Sequence, residues 1–211
     1  MEGLYSVYNV DKMKPQLRGY FSRYPVMNQS LRALEYAFEK HEGQTRKVSG
    51  QPYIVHPMKI ALDASHYPEL DGDDVLFAAI LLHDVVEDCG VSVDELPFSR
   101  KVRKLVKLVS LSRMENEEKA DAKRRYFNNM ASKKKALIIK SLDRLDNMTT
   151  MYSLGEESLR KNLRENIDYI IPMLREATKH TGRYYHTLWI LRNQLQRDTE
   201  IYAGVLEKIG Q

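Results

Sequence analysis

One cysteine, Cys89, stands among 211 residues, which excludes an internal disulfide framework and fits a reducing cytosol. No apolar run approaches the ~20 residues needed to span a bilayer as a helix. The opening Met1-Glu2-Gly3-Leu4-Tyr5 carries an early acid and lacks a basic stretch followed by an apolar one. It does not read as a signal peptide. Solenoid-length repeats, low-complexity linkers and strand-rich regions are also missing. The net charge of +4 is modest. It suits a polyphosphate-bearing substrate but is too weak to argue for nucleic acid. With 43% hydrophobic residues, the chain is long enough to bury a real core, and one domain over 1–211 is expected.

The periodic segments read as helix. Leu31, Leu34, Ala37 and Phe38 share a helical stripe ending near Gly43, and Pro57 fits the first position of a helix running to about Ser65. Asp71-Gly72-Asp73-Asp74 makes a turn and acidic start for a helix apolar on every side, Val75 to Leu82, with Gly90 as its stop. Val102, Leu105, Val106 and Val109 oppose a basic face. Residues 113–131, rich in charge, read as an exposed or mobile helix. A second fully apolar run, Ala136 to Ile139, leads into Lys140-Ser141-Leu142-Asp143-Arg144. Leu188, Leu191, Leu195, Tyr202 and Val205 form a stripe that is either core or a helix–helix interface, core being favoured. The fold class expected is all-α.

The chemistry concentrates at His83-Asp84-Val85-Val86-Glu87-Asp88. His83 lies one helical turn from Glu87, and Asp84 one turn from Asp88. Polar groups ending a buried helix are costly unless a metal, a solvent cleft or a network satisfies them. Such a conflict between local chemistry and burial marks a functional site. Carboxylates at a helix C-terminus also oppose the helix dipole, which weakens a purely structural reading of Glu87 and Asp88.

Three further motifs accompany this pair. Arg46-Lys47-Val48-Ser49-Gly50-Gln51-Pro52-Tyr53-Ile54-Val55-His56-Pro57 precedes it, and Asp143-Arg144-Leu145-Asp146-Asn147-Met148-Thr149-Thr150 follows. A His, then His-Asp, then a distant Asp resembles the HD-type metal phosphohydrolases. The flanks narrow the resemblance to the hydrolase domain of the RelA/SpoT homologues, in the form of a stand-alone small alarmone hydrolase. The close matches cover about 35–151, and the helices of 156–209 are expected to pack on or extend that region. The remaining length has no room for a synthetase or regulatory region. Val48 is extra relative to the family pattern, Gln51 stands for Glu, and Cys89 stands where threonine is frequent.

The resemblance implies a single HD-domain helical bundle and a ligand set of His56, His83, Asp84 and Asp143 around one divalent ion. Mixed imidazole and carboxylate donors suit Mn²⁺, and on softness alone Zn²⁺ or Fe²⁺ as well; Mn²⁺ follows from the resemblance. It also implies that Glu87 and Asp88 are catalytic, acting on the attacking water. Arg46, Lys47, Ser49, Tyr53, Asn147 and Thr150 are implied to bind substrate. A guanidinium at 46 can stack on a flat base. Tyr53 fits the pocket and the core equally well. Asn147 and Thr150, four and seven residues after Asp143, share its helical face.

The activity implied is hydrolysis of the 3′-pyrophosphate of (p)ppGpp, or of ppApp, in the cytoplasm. The partner is then a small nucleotide, without membrane or nucleic acid, and a homodimer stays open. Two alternatives are another HD nucleotidase acting on dNTPs or 5′-nucleotides, and a non-catalytic alarmone-binding module. Retention of all four ligands and of Glu87-Asp88 disfavours the second. Outside the site, Arg144 is expected to pair with a buried acid and Arg124 or Arg125 is a candidate for the pyrophosphate. The clusters Lys133-Lys134-Lys135 and Arg100 to Lys107 read as solvated helix faces. His41, His66, His180 and His186 show no partner spacing and read as structural or surface residues.

Overall fold

In the computed structural model, residues 8–209 are described; the N-terminal stretch read above for a signal peptide lies outside them. Among the described residues the structure is helical, and its β content is one isolated bridge between Thr45 and Pro52. The chain divides into two compact units, Met1–Tyr126 and Phe127–Gln211.

The first unit is built around the apolar helix expected from the sequence. Its helices are α1 (Val10–Ser22), α2 (Asn28–Lys40), α3 (Val55–Ala64), α4 (Asp74–Leu82), the short α5 (Val85–Asp88) and α6 (Arg100–Val109). The boundary between units falls within α7 (Lys119–Met130). Every residue of α4 from Leu76 to Leu82 is buried, because α2, α3 and α6 all pack on it. A helix surrounded in this way has no use for a polar face, hence its sequence. Asp73 caps α4 by accepting from the Leu76 amide at 3.1 Å. Asp74 turns outward to the start of α2, accepting from the Ser30 amide at 2.7 Å and its hydroxyl at 2.8 Å. A carboxylate there satisfies first-turn N–H groups that have no partner within their own helix.

Several boundaries differ from the sequence expectations. Helix α2 starts at Asn28 and ends at Lys40, with Gly43 in the following turn. Its stripe is carried by Ala33, Leu34 and Ala37, whereas Phe38 is exposed beneath the Lys14 ammonium. Helix α3 begins at Val55, so Pro57 is its third residue. That is still inside the first turn, where a missing N–H costs nothing. Helix α7 is one-sided rather than exposed all round: Ala122, Tyr126, Phe127 and Met130 are buried. The charge-dense stretch before it is held locally, since Arg125 donates to Glu117 and to the Ser112 carbonyl. Arg125, a candidate for the pyrophosphate, is thus engaged within its own loop, and Arg124 pairs with Asp121.

The second unit contains α8 (Lys134–Met148), α9 (Glu156–Glu165), a π-helical turn (Asn166–Ile170), α10 (Ile171–Ala177) and α11 (Tyr185–Ile209). Helices α8, α9 and α10 pack on α11. Leu188, Leu191 and Leu195 of its stripe are core, Tyr202 is half-buried with its hydroxyl on the Met148 carbonyl, and Val205 is exposed. The stripe therefore serves as core only along its first half.

Candidate metal centre

His83 and Asp84 sit where the buried helix breaks. Helix α4 stops at Leu82, His83 is its C-cap, and Asp84 opens α5 as the N-cap. The Ser110 hydroxyl donates to the His83 carbonyl at 3.2 Å, giving that carbonyl a partner outside the helix. Asp88 is still one turn on from Asp84, whose carbonyl accepts from its amide at 2.8 Å. Gly90, at φ +67, ends the segment in the left-handed region as a stop glycine does.

His56, in the first turn of α3, meets this break. The Nε2 atoms of His83 and His56 lie 3.1 and 3.5 Å from the same oxygen, Asp84 Oδ2. Among the described residues, His56, His83 and Asp84 form a group whose donor atoms all lie within 4.8 Å of one another. His83 Nδ1 is 2.8 Å from the Ile80 carbonyl. A carbonyl only accepts, so Nδ1 carries a proton and Nε2 is the ring nitrogen turned toward Asp84. Adjacent donors on an octahedral ion with bonds of ~2.1 Å are about 3 Å apart. The spacing, and the Nε2 atoms of both imidazoles turned to one carboxylate oxygen, therefore fit a divalent cation, and the imidazole–carboxylate mixture fits a first-row metal.

Tyr53 completes this corner. Its hydroxyl donates to Asp84 Oδ2 at 2.6 Å, and its ring is edge-on to His56. Burial, then the negative charge of Asp84, pushes the phenol well above its ordinary range, so it remains a donor. His41 lies tilted over Tyr53, with centroids 4.8 Å apart. Its Nδ1 meets Gln44 Oε1 at 2.8 Å, while Gln44 Nε2 donates to the Asp88 carbonyl at 3.1 Å. The two ends of the Gln44 amide are thereby assigned, and His41 Nδ1 must be protonated. The sequence reading set His41 aside for lack of a partner at helical spacing and did not consider Gln44. The available signal was the His-x-x-Gln spacing at the end of α2, which brings both side chains back over the chain that follows.

The acidic pair is exposed. Glu87 Oε1 accepts from the Leu111 amide at 2.7 Å, tying α5 to the segment after α6. One carboxylate oxygen is thus used structurally, which leaves the group partly committed before any substrate arrives.

The loop bearing Arg46, Lys47 and Ser49 is closed at its base. Arg46 N donates to the Gln51 carbonyl at 2.8 Å and Gly50 N to the Arg46 carbonyl at 2.9 Å. Lys47 is exposed and Arg46 half-buried. Ser49, half-buried, accepts from Gln51 N at 3.4 Å through Oγ.

In the second unit, Asp143 is 5% exposed and anchored at both oxygens. Lys140 Nζ donates to Oδ2 at 2.7 Å and Asn147 Nδ2 to Oδ1 at 2.6 Å. Asn147 thus does share a face with Asp143. Thr150, just past α8, is buried, with its hydroxyl 3.5 Å from the Asn147 carbonyl.

Comparison with known proteins identifies the family. The family model "HD domain" matches residues 33–175. A guanosine-3′,5′-bis(diphosphate) 3′-pyrophosphohydrolase of Aquifex aeolicus is 31% identical over 87% of this chain and 25% of its own length. The bifunctional (p)ppGpp synthase/hydrolase SpoT of Escherichia coli is 33% identical over 68% of the chain and 21% of its own length. The chain therefore spans about a quarter or less of these curated relatives. A solved structure of a metazoan SpoT ortholog, which hydrolyzes ppGpp, superposes with a TM-score of 0.62 at 27% identity. That match covers 79% of this chain and 95% of the ortholog. With its matched region holding His56, the His83-Asp84 break and Asp143 alike, the chain belongs to the HD-domain family.

Proposed function

We propose that the chain is a Mn²⁺-dependent 3′-pyrophosphohydrolase of (p)ppGpp acting in the cytoplasm. The observation that carries this reading is the convergence of His56, His83 and Asp84 on one carboxylate oxygen, in a chain that also holds Asp143-Arg144-Leu145-x-Asn147-Met148. The ligand set is His56, His83, Asp84 and Asp143, the last assigned from its sequence motif. A divalent ion held there would polarise a phosphoryl oxygen and lower the pKa of water.

The chain's own groups do the remainder. Glu87 and Asp88 orient the attacking water and take its proton. The water oxygen bonds to the phosphorus attached to ribose O3′, the P–O3′ bond breaks, and O3′ leaves with a proton. The products are pyrophosphate and GDP, or GTP from pppGpp. Arg46 and Lys47 flank the base, with Ser49 shaping their loop. Asn147 and Thr150 bind the nucleoside. The modified loop around Val48 makes ppApp a substrate to compare.

The test is pyrophosphate release by the purified chain from ppGpp, ppApp and dGTP, with Mn²⁺ and with EDTA. Mn²⁺-dependent release from an alarmone is expected. Turnover of dGTP alone would favour the general HD nucleotidase, and alarmone binding without turnover would favour the non-catalytic module.

A further inference from the structure

We infer that Tyr53 is a positioning residue for the metal ligand Asp84, held in place by His41 and Gln44, rather than a contact to the nucleotide. The inference rests on the metal-site reading above. Asp84 stands outside a helix as the N-cap of α5 and is the least buried of the converging trio, its side chain 18% exposed against 2% for His56 and 4% for His83. Left alone, a carboxylate at such a break samples several rotamers. The Tyr53 hydroxyl removes that freedom. At 2.6 Å it makes a short, charge-assisted bond to Oδ2, the same oxygen that faces both histidines.

Tyr53 is itself fixed on several sides. Its amide donates to the Gln44 carbonyl at 2.9 Å and its carbonyl accepts from His56 N at 2.9 Å, so the residue is tied into the start of α3. The His41 ring covers it, and the His56 ring meets it at 66°. His41 is 2% exposed and cannot swing away, because its Nδ1 is bonded to Gln44. Gln44 in turn holds the backbone of Asp88. One bracket at the end of α2 therefore fixes a ligand carboxylate through a side chain and the acidic turn through a carbonyl. A phenol whose single proton is committed to a ligand oxygen has no donor left for a nucleotide. Outer partners of this kind usually contribute about 10–100-fold to metal affinity.

The experiment compares the wild type with Tyr53→Phe, full-length, by calorimetric Mn²⁺ titration and by the Mn²⁺ EPR spectrum. Kinetics on ppGpp at saturating Mn²⁺ complete it. Phe keeps the ring, the His41 contact and the backbone bonds, and melting in EDTA verifies the fold. The expected result is Mn²⁺ binding weakened by about 10–100-fold with an altered EPR line shape. KM for ppGpp should stay within about twofold once the metal is saturating, since uniform substrate binding is untouched. Unchanged Mn²⁺ affinity, with or without a raised KM, would overturn the inference. If the wild type binds Mn²⁺ but releases no pyrophosphate, the alarmone reading fails while the metal titration still decides the role of Tyr53. A wild type that binds no divalent ion overturns both.

Discussion

Arg144 and Glu165 form an ion pair of 2.7 Å whose side chains are only 6% and 12% exposed. The guanidinium also donates to the Asn162 side chain, so α8 is fastened to α9 one residue beyond Asp143. Removing one partner of a buried pair strands the other charge, which costs about 3–5 kcal/mol. Glu165→Ala should lower the urea unfolding midpoint by that much stability. Glu165→Gln, which keeps an acceptor, should cost less. Equal midpoints for wild type and Glu165→Ala would show the pair to be energetically idle.

Asp143→Ala should abolish alarmone hydrolysis and weaken Mn²⁺ binding, because an anionic ligand is lost. The wild type should melt at a lower temperature in EDTA than in Mn²⁺, by the stabilisation that ligand binding confers on the folded state, about 2.7 kcal/mol at a hundredfold excess over Kd. Differential scanning calorimetry of both proteins with and without metal reads the two effects. Full Mn²⁺ stoichiometry with near-normal turnover in Asp143→Ala would remove this residue from the ligand set.

Glu87 carries two duties, a bond to the Leu111 amide and the proposed handling of water. Glu87→Gln retains an acceptor for Leu111 but not the basicity, so kcat should fall by ~10²–10⁴-fold with the melting temperature and metal content unchanged. Glu87→Ala should lose stability as well. An active Glu87→Gln enzyme would assign this carboxylate to structure alone.

The loop before α7 should be insensitive to mild acid. The Arg125 hydrogen bonds, aided by the Met114 amide, pull the Glu117 carboxyl down to about 2. Such a depressed carboxylate contributes its stabilisation above the ordinary glutamate pKa, and loses it as pH falls through the window from about 4.5 to about 2. The Glu117 side chain is only 14% exposed beside Arg125, so added salt should weaken the effect only in part. NMR titration of the Glu117 side chain should place its midpoint well below other glutamates. In Arg125→Ala that midpoint should return to the ordinary range.

Where the sequence was readable, burial and spacing carried the signal. Val75 to Leu82 could only be an enclosed helix, and the Asp143–Asn147 spacing put both groups on one face, where they now bond. The break after Leu82 was not readable, because the Ser110 hydroxyl that meets the His83 carbonyl comes from 27 residues further along. The role of His41 was hidden for the same reason. Its significance lies in Tyr53 and Gln44, and ring contacts across a loop leave no periodicity. The 113–131 segment misled through its charges, which Arg125 and Glu117 satisfy mutually while Ala122 and Tyr126 turn inward.

The Thr45–Pro52 bridge, with the Tyr53 amide on the Gln44 carbonyl, clamps the basic loop at its neck. Everything distal to that neck, including the extra Val48, can change length while Tyr53 and His56 keep their register. An insertion or deletion between the two clamped ends therefore changes the loop alone and leaves the start of α3 where it is. The length of the loop and the placement of His56 can vary independently within one short stretch of chain.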